Sequence, residues 1–172
     1  IVVVVGYLKD TIKNHIGNKV RYRDFDDFAK GNNILTLHSV KDELNDDCLV
    51  LFADVLLGRN LLQKLVDSPN DFALLTHNKD IMKDTMRVKI ENGSIQDIGS
   101  HIPVESGHGN FIGIAKYSKR AAELLAQKMD HMLQCGQHKD DYYTRALVPL
   151  AAQGEKVSPV YANDTPWIEI DH

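Results

Sequence analysis

Short apolar runs alternate along the chain with stretches whose apolar residues fall at helical spacing. Val2-Val3-Val4-Val5 is the first such run and predicts a strand that closes at Gly6-Tyr7. A short helix is expected over residues 9–15, a brief edge strand over residues 19–22, and a polar loop over residues 23–33. Ile34, Leu37, Val40 and Leu44 keep close to a helical period, so residues 34–44 predict a helix with one core face. Residues 49–53 predict a buried strand, too short for a helix and bounded by Asn45-Asp46-Asp47 and by Gly58. A helix carrying Leu61, Leu62, Leu65 and Val66 follows, and Ser68-Pro69-Asn70 breaks it. Residues 72–75 predict another strand. Residues 86–91 alternate, and Asn92-Gly93 signals a hairpin turn ahead of residues 94–98. Residues 111–115 predict a further buried strand. Ala121, Leu125, Met129 and Met132 mark one helix; Tyr143, Ala146, Leu147, Leu150 and Ala151 mark another. Strands over residues 157–161 and 167–171 finish the chain. This order predicts an α/β fold: a mostly parallel open sheet with flanking helices and an inserted antiparallel hairpin.

The strand over residues 49–53 ends in Asp54, and Trp167-Ile168-Glu169-Ile170-Asp171 repeats the device. A carboxylate at the carboxyl end of a buried strand in an open α/β sheet points into the crevice where such folds bind ligands. Two readings stand. Each aspartate caps the turn after its strand, or the two converge to hold one divalent metal on a phosphate. Their pairing in one chain favours the second reading.

Composition narrows the classes. With 172 residues, 43% of them hydrophobic, the chain is expected to fold as one domain with a sizeable core. A net charge of −4 supplies no basic field, which argues against a generic nucleic-acid partner. No segment approaches a membrane-spanning length, so no membrane partner is expected. Cys48 and Cys135, distant in sequence, suggest no disulfide framework and fit a reducing, cytoplasmic setting. The opening without Met and the stop at Asp171-His172 directly after a strand suggest that both ends are cut.

Several segments in order carry a family resemblance. They are Val4-Val5-Gly6-Tyr7, Gly31-Asn32-Asn33-Ile34-Leu35-Thr36-Leu37, Phe52-Ala53-Asp54-Val55-Leu56, residues 109–116 and Trp167-Ile168-Glu169-Ile170-Asp171. Together they resemble the nucleotidyltransferase superfamily with its Rossmann-like fold, and within it the phosphocholine and 2-aminoethylphosphonate cytidylyltransferase-like branch. The resemblance implies transfer of a nucleotidyl group, CMP from CTP, to a small phosphate or phosphonate such as phosphocholine or 2-aminoethylphosphonate, with release of pyrophosphate. Asp54 and Asp171 are then the catalytic metal ligands, holding Mg²⁺. Gly6, Tyr7, Asn32 and Asn33 would face the nucleotide; Asn110, Asp141, Tyr142, Trp167 and Glu169 would face the acceptor. Asn32 and Asn33 carry two readings, because a side-chain amide can recognise a pyrimidine edge and Asn is also a favoured helix N-cap. Asp140-Asp141-Tyr142-Tyr143 offers charge and aromatic faces to an ammonium group, or acids at a helix start with core-facing tyrosines.

The chain departs from the family pattern in places. The Gly-rich phosphate loop of these enzymes belongs to a strand and turn that would precede Ile1, so the domain over residues 1–172 is expected to lack its first strand and to be inactive alone. Relatives place Lys after the Ile-Gly of the hairpin and Glu before Phe-Ile-Gly, where this chain has Ser100 and Asn110. His101 and His108 lie in an expected active-site loop, with phosphate as their candidate contact. The eight histidines form no His-x-x-x-His pair, so zinc is not expected. The alternatives are a sugar- or polyol-phosphate nucleotidyltransferase, a noncatalytic nucleotide-binding regulatory domain, and a glycosyltransferase, which would more often carry Asp-x-Asp than the Asp54-Val55-Leu56 found here. A homodimer or a fused domain is compatible with all of these.

Overall fold

A computed structural model of the chain describes residues 1–79, 81, 85–163 and 165–170. In chain order the elements are β1 (Val2–Val5), α1 (Lys9–Ile16), β2 (Arg21–Asp24), α2 (Asn33–His38), β3 (Cys48–Leu51), β4 (Val55–Leu57), α3 (Arg59–Val66) and β5 (Phe72–His77). There follow β6 (Arg87–Glu91), β7 (Ser94–Gly99), β8 (Gly109–Tyr117), α4 (Lys119–Gln134), α5 (Leu147–Ala152), β9 (Val157–Tyr161) and β10 (Trp167–Glu169). The α/β class, the flanking helices and the β6–β7 hairpin match the expectation from periodicity.

The main sheet is organised on β8. One edge of β8 pairs antiparallel with β5 along its length, and β5 pairs parallel with β9. The other edge is shared: β3 takes residues 114–117 of β8, and β6 takes Gly109 and Asn110. Thus β3, β5, β6 and β9 all point one way, and β8 is threaded among them in the opposite sense. The β1–β2 pair is parallel and separate, and β10 pairs antiparallel with β4. Among the described residues, β1 and β3 each keep one edge without a strand partner.

Strand alternation distributes the core. Phe72, Leu74, Phe111, Ala115 and Tyr117 face a layer built by α4, α5 and the start of α2. Ala73, Leu75, Ile112 and Ile114 face Leu61 and Leu65 of α3 and Val55 of β4. Ser118 caps α4 by accepting from the Ala121 amide, and Ala121, Ala122, Leu125, Met129 and Met132 form its buried stripe.

Several element boundaries differ from the sequence expectation: among them β3 ends at Leu51, two residues short of the expected strand. The helix expected over residues 34–44 stops at His38, where the Ser39 hydroxyl donates to the Thr36 carbonyl at 2.7 Å and Val40 leaves helical geometry with φ −120°. The edge strand expected over residues 19–22 starts two positions later, because Gly17–Lys19 wind a 3₁₀ turn. Arg21 and Arg23 of β2 then reach Glu43 and Asp42 at 2.6 and 2.7 Å.

Gly113 marks the point where β8 changes partners. The β5–β8 register shifts between Leu74 and Thr76, and Gly113 sits there at φ +80°. Its carbonyl accepts the Phe52 amide at 2.8 Å, and a Cβ at this position would lie 2.9 Å from the Phe52 ring. Gly113→Ala is expected to cost about 1–3 kcal/mol, from a left-handed backbone and the clash together. Urea denaturation measures this; an unchanged midpoint would mean that the bulge does not need glycine.

Candidate active site

Because β3 and β5 both run against β8, their carboxyl ends point toward its amino-terminal half, β3 ending beside Ile114 and β5 beside Asn110. Asp54 follows β3, His77 ends β5, and Asn110 of β8 stands opposite His77. The β4–β10 ribbon reaches the same place. Trp167 pairs with Leu57 and Glu169 with Val55, and the Ile170 amide donates to the Asp54 carbonyl at 2.8 Å. Asp171 lies outside the described residues, one position beyond Ile170.

Asp54 is half-buried, and its Oδ1 is shielded from solvent without a hydrogen-bond partner. A turn cap would have a backbone amide on that oxygen, and none of the described residues supplies one. A buried lone pair left this way costs stability unless a ligand takes it. Among the described residues no three His, Cys, Asp or Glu groups gather as a metal cage. A carboxylate oxygen left as that of Asp54 could hold a hard cation that keeps waters and borrows phosphate oxygens, as Mg²⁺ does.

His77 was not legible as a site residue. Its strand was expected to end at Leu75, although Thr76-His77 repeats the polar strand end seen at Asp54. The His77 ring meets Trp167 edge-on, with centroids 5.6 Å apart and planes at 69°. Its Nδ1 lies 3.1 Å from the Lys79 carbonyl oxygen. Arg87 was missed as well. It is buried, and its guanidinium donates to the carbonyls of Ile102 and Ser100, fixing the loop after β7. Asn110 is buried beside it, with the Thr85 hydroxyl donating to its Oδ1 at 2.8 Å. Glu169 is exposed, on the same side of the ribbon as Trp167 by alternation. The loop histidines are engaged locally: His101 pairs with Asp97 at 2.9 Å, and His108 Nδ1 accepts from the Ile90 amide at 2.8 Å.

A second group gathers at the start of α2. The Asn32 side chain accepts from the Asn33 amide at 2.7 Å, and the Asn33 side chain accepts from the Tyr143 amide at 2.8 Å. The Asn32 amide donates to the Lys139 carbonyl at 2.7 Å. Gly31 is required here, since a Cβ would overlap that same carbonyl oxygen. Ala29, Lys30, Gly31, Asn32, Lys139 and Asp140 line an open cleft. Gly6 and Tyr7, at the end of β1, border the same segment through an edge contact of Tyr7 with Phe28 at 6.1 Å.

Asp141 and Tyr142 belong with this group. Asp141 Oδ2 binds His138 Nδ1 at 2.8 Å, and its carbonyl accepts from the Ile34 amide at 3.4 Å. Tyr142 is exposed. No contact among the described residues joins either of them to Trp167, so the structure separates acceptor candidates that the sequence grouped together. Tyr143 is the hinge between the two groups. Its ring packs edge-on against Phe52 at 6.1 Å, and the Tyr117 hydroxyl donates to its hydroxyl at 3.4 Å. Burial pushes both phenols up, so they stay neutral. Burial, with Asp47 and Asp46 nearby, raises the Cys48 thiol to about 11.

No protein-family model matches the chain. A curated relative, the CTP:phosphoglutamine cytidylyltransferase of Campylobacter jejuni, is 23% identical over 195 aligned positions, covering 99% of this chain and 77% of the relative. The solved structure of the CTP:phosphocholine cytidylyltransferase LicC from Streptococcus pneumoniae superposes with a TM-score of 0.76 at 25% identity, covering 99% of this chain and 72% of that one. The inositol-1-phosphate CTP transferase of T. maritima shares the fold, with a TM-score of 0.71 at 16% identity over 99% of this chain and 69% of that one. Among the described residues no helix is long and apolar enough to cross a membrane. Similarity that runs along nearly the whole chain, in sequence to one cytidylyltransferase and in three dimensions to another, supports a nucleotidyltransferase enzyme.

Proposed function

We propose that the protein transfers CMP from CTP to a small phosphate or phosphonate whose other end bears nitrogen. The observation that carries this reading is the buried, unpartnered carboxylate oxygen of Asp54 in the turn after β3. An acceptor phosph(on)ate oxygen attacks the α-phosphorus of CTP, the bond to the β-phosphate oxygen breaks, and pyrophosphate leaves. The acceptor is already ionised near neutral pH, so no side chain need remove a proton. Mg²⁺ held by Asp54 and Asp171 would supply the charge neutralisation that two meeting anions require. The remaining work is alignment by residues of the crevice. Phosphocholine and phosphoglutamine, the acceptors named for two of the similar proteins, both carry nitrogen, which supports an acceptor of that kind here.

Support for cytosine comes from the start of α2. Asn32 and Asn33 both have their side-chain oxygens engaged by backbone amides. What remains on each is an NH₂ donor. Donors match O2 and N3 of cytosine and clash with the N3–H of uracil or thymine.

Three measurements test the reading. Asp54→Ala should lower pyrophosphate release from CTP about a thousandfold, the scale of a lost metal site. Its melting temperature should hold or rise, because an unpartnered carboxylate is removed; retained turnover sinks the role. Asn33→Asp keeps an oxygen for the Tyr143 amide and replaces the free NH₂. It should raise KM for CTP roughly tenfold, as loss of one recognition hydrogen bond does, with acceptor KM unmoved. With CTP as donor, phosphocholine and 2-aminoethylphosphonate should outperform glucose 1-phosphate and inositol 1-phosphate. A clear preference for the sugar or polyol phosphate would replace the amine acceptor.

A further inference from the structure

The His77–Trp167 pair has no part in nucleotide binding or metal ligation as described above, yet it stands at the same end of the sheet as Asp54. The Lys79 carbonyl oxygen can only accept a hydrogen bond, so this contact favours the tautomer with its proton on His77 Nδ1. In the neutral ring, Nε2 is then a bare lone pair. Nε2 has no partner among the described residues, and Trp167 holds the ring by an edge contact at 5.6 Å. The rung that joins Trp167 to Leu57 lies three positions along the ribbon from the one joining Ile170 to Asp54. At the rise of a β-strand this is about 10 Å. That span admits a small acceptor with its phosphate at Asp54 and its far end at His77.

We infer that His77 determines acceptor specificity: its Nε2 lone pair selects an acceptor whose nitrogen carries N–H, a primary ammonium or a carboxamide, over a quaternary ammonium. A trimethylammonium group has no proton to give and would leave the lone pair unsatisfied on binding. A primary ammonium donates to Nε2 while the Trp167 ring favours its charge. The inference rests on the acceptor reading proposed above, and it narrows that reading to one hydrogen bond.

Trp167 is the only tryptophan in the chain, so its emission reports on this place directly and without turnover. Phosphoethanolamine and phosphocholine differ only in the methyl groups on nitrogen, which makes them the probes. Titrated into the wild-type protein, phosphoethanolamine should perturb Trp167 emission and bind about tenfold more tightly than phosphocholine, the worth of one charge-assisted hydrogen bond. His77→Phe should abolish the preference, and His77→Gln, which can present a carbonyl oxygen in place of the lone pair, should keep part of it. The inference is overturned if phosphocholine binds as tightly to wild type, if His77→Phe retains the preference, or if neither compound affects Trp167. Cytidylyl transfer assayed in parallel separates the two ideas: a binding preference without transfer from CTP discards the enzymatic reading and leaves the role of His77 standing. Transfer without the preference does the reverse.

Discussion

The partner exchange along one edge of β8 is the constraint from which the site follows. A strand edge can hydrogen-bond one neighbour at a time, and β8 is long enough to serve two in succession. Where β3 stops, at Phe52 on Gly113, β6 begins, with the Phe111 amide donating to the Met86 carbonyl at 2.7 Å. One strand must leave the sheet plane there as the other enters. The departing chain carries Asp54 and the entering chain carries Thr85, whose hydroxyl binds Asn110. The crevice is the seam between them, and the left-handed glycine permits it.

The β4–β10 ribbon lies beside the same aspartate. It brings the end of the described chain alongside Asp54, positions Trp167 over His77, and leaves Oδ1 of Asp54 dry and unpartnered. An oxygen in that state costs about 1–3 kcal/mol in most folds. The rest of the domain tolerates it because two apolar layers, one on each side of the sheet, hold the strands in place. A cost accepted at one atom of a well-packed domain is the usual mark of a ligand site.

At the start of α2, the side-chain oxygens of Asn32 and Asn33 cap the helix and anchor Tyr143; the recognition role proposed above would fall to their nitrogens. Tyr143 in turn meets Phe52, so the orientation of the asparagines and the departure of β3 toward Asp54 are mechanically connected. The buried tyrosine pair supplies a rigid link between them.

Periodicity alone determined the α/β class, the β6–β7 hairpin with its Asn92-Gly93 turn, the core faces of α3 and α4, and the placement of Asp54 at a strand end. These depend on local spacing, which a linear sequence records. The extent of β5 to His77 escaped because Thr76 and His77 are polar, and burial of Thr76 is granted by the neighbours β8 and β9. The break after α2 escaped because it turns on a Ser39 hydroxyl competing for a backbone carbonyl. The short strand β4 has only three residues and exists because β10, over a hundred residues later, pairs with it. Which aromatic meets which polar group was likewise decided in three dimensions. Asp141 and Tyr142 read in sequence as companions of Trp167, but the hydrogen bonds of residues 139–143 tie that segment to the start of α2, and it is His77 that meets Trp167. Long-range pairing sets those contacts, and no local pattern encodes it.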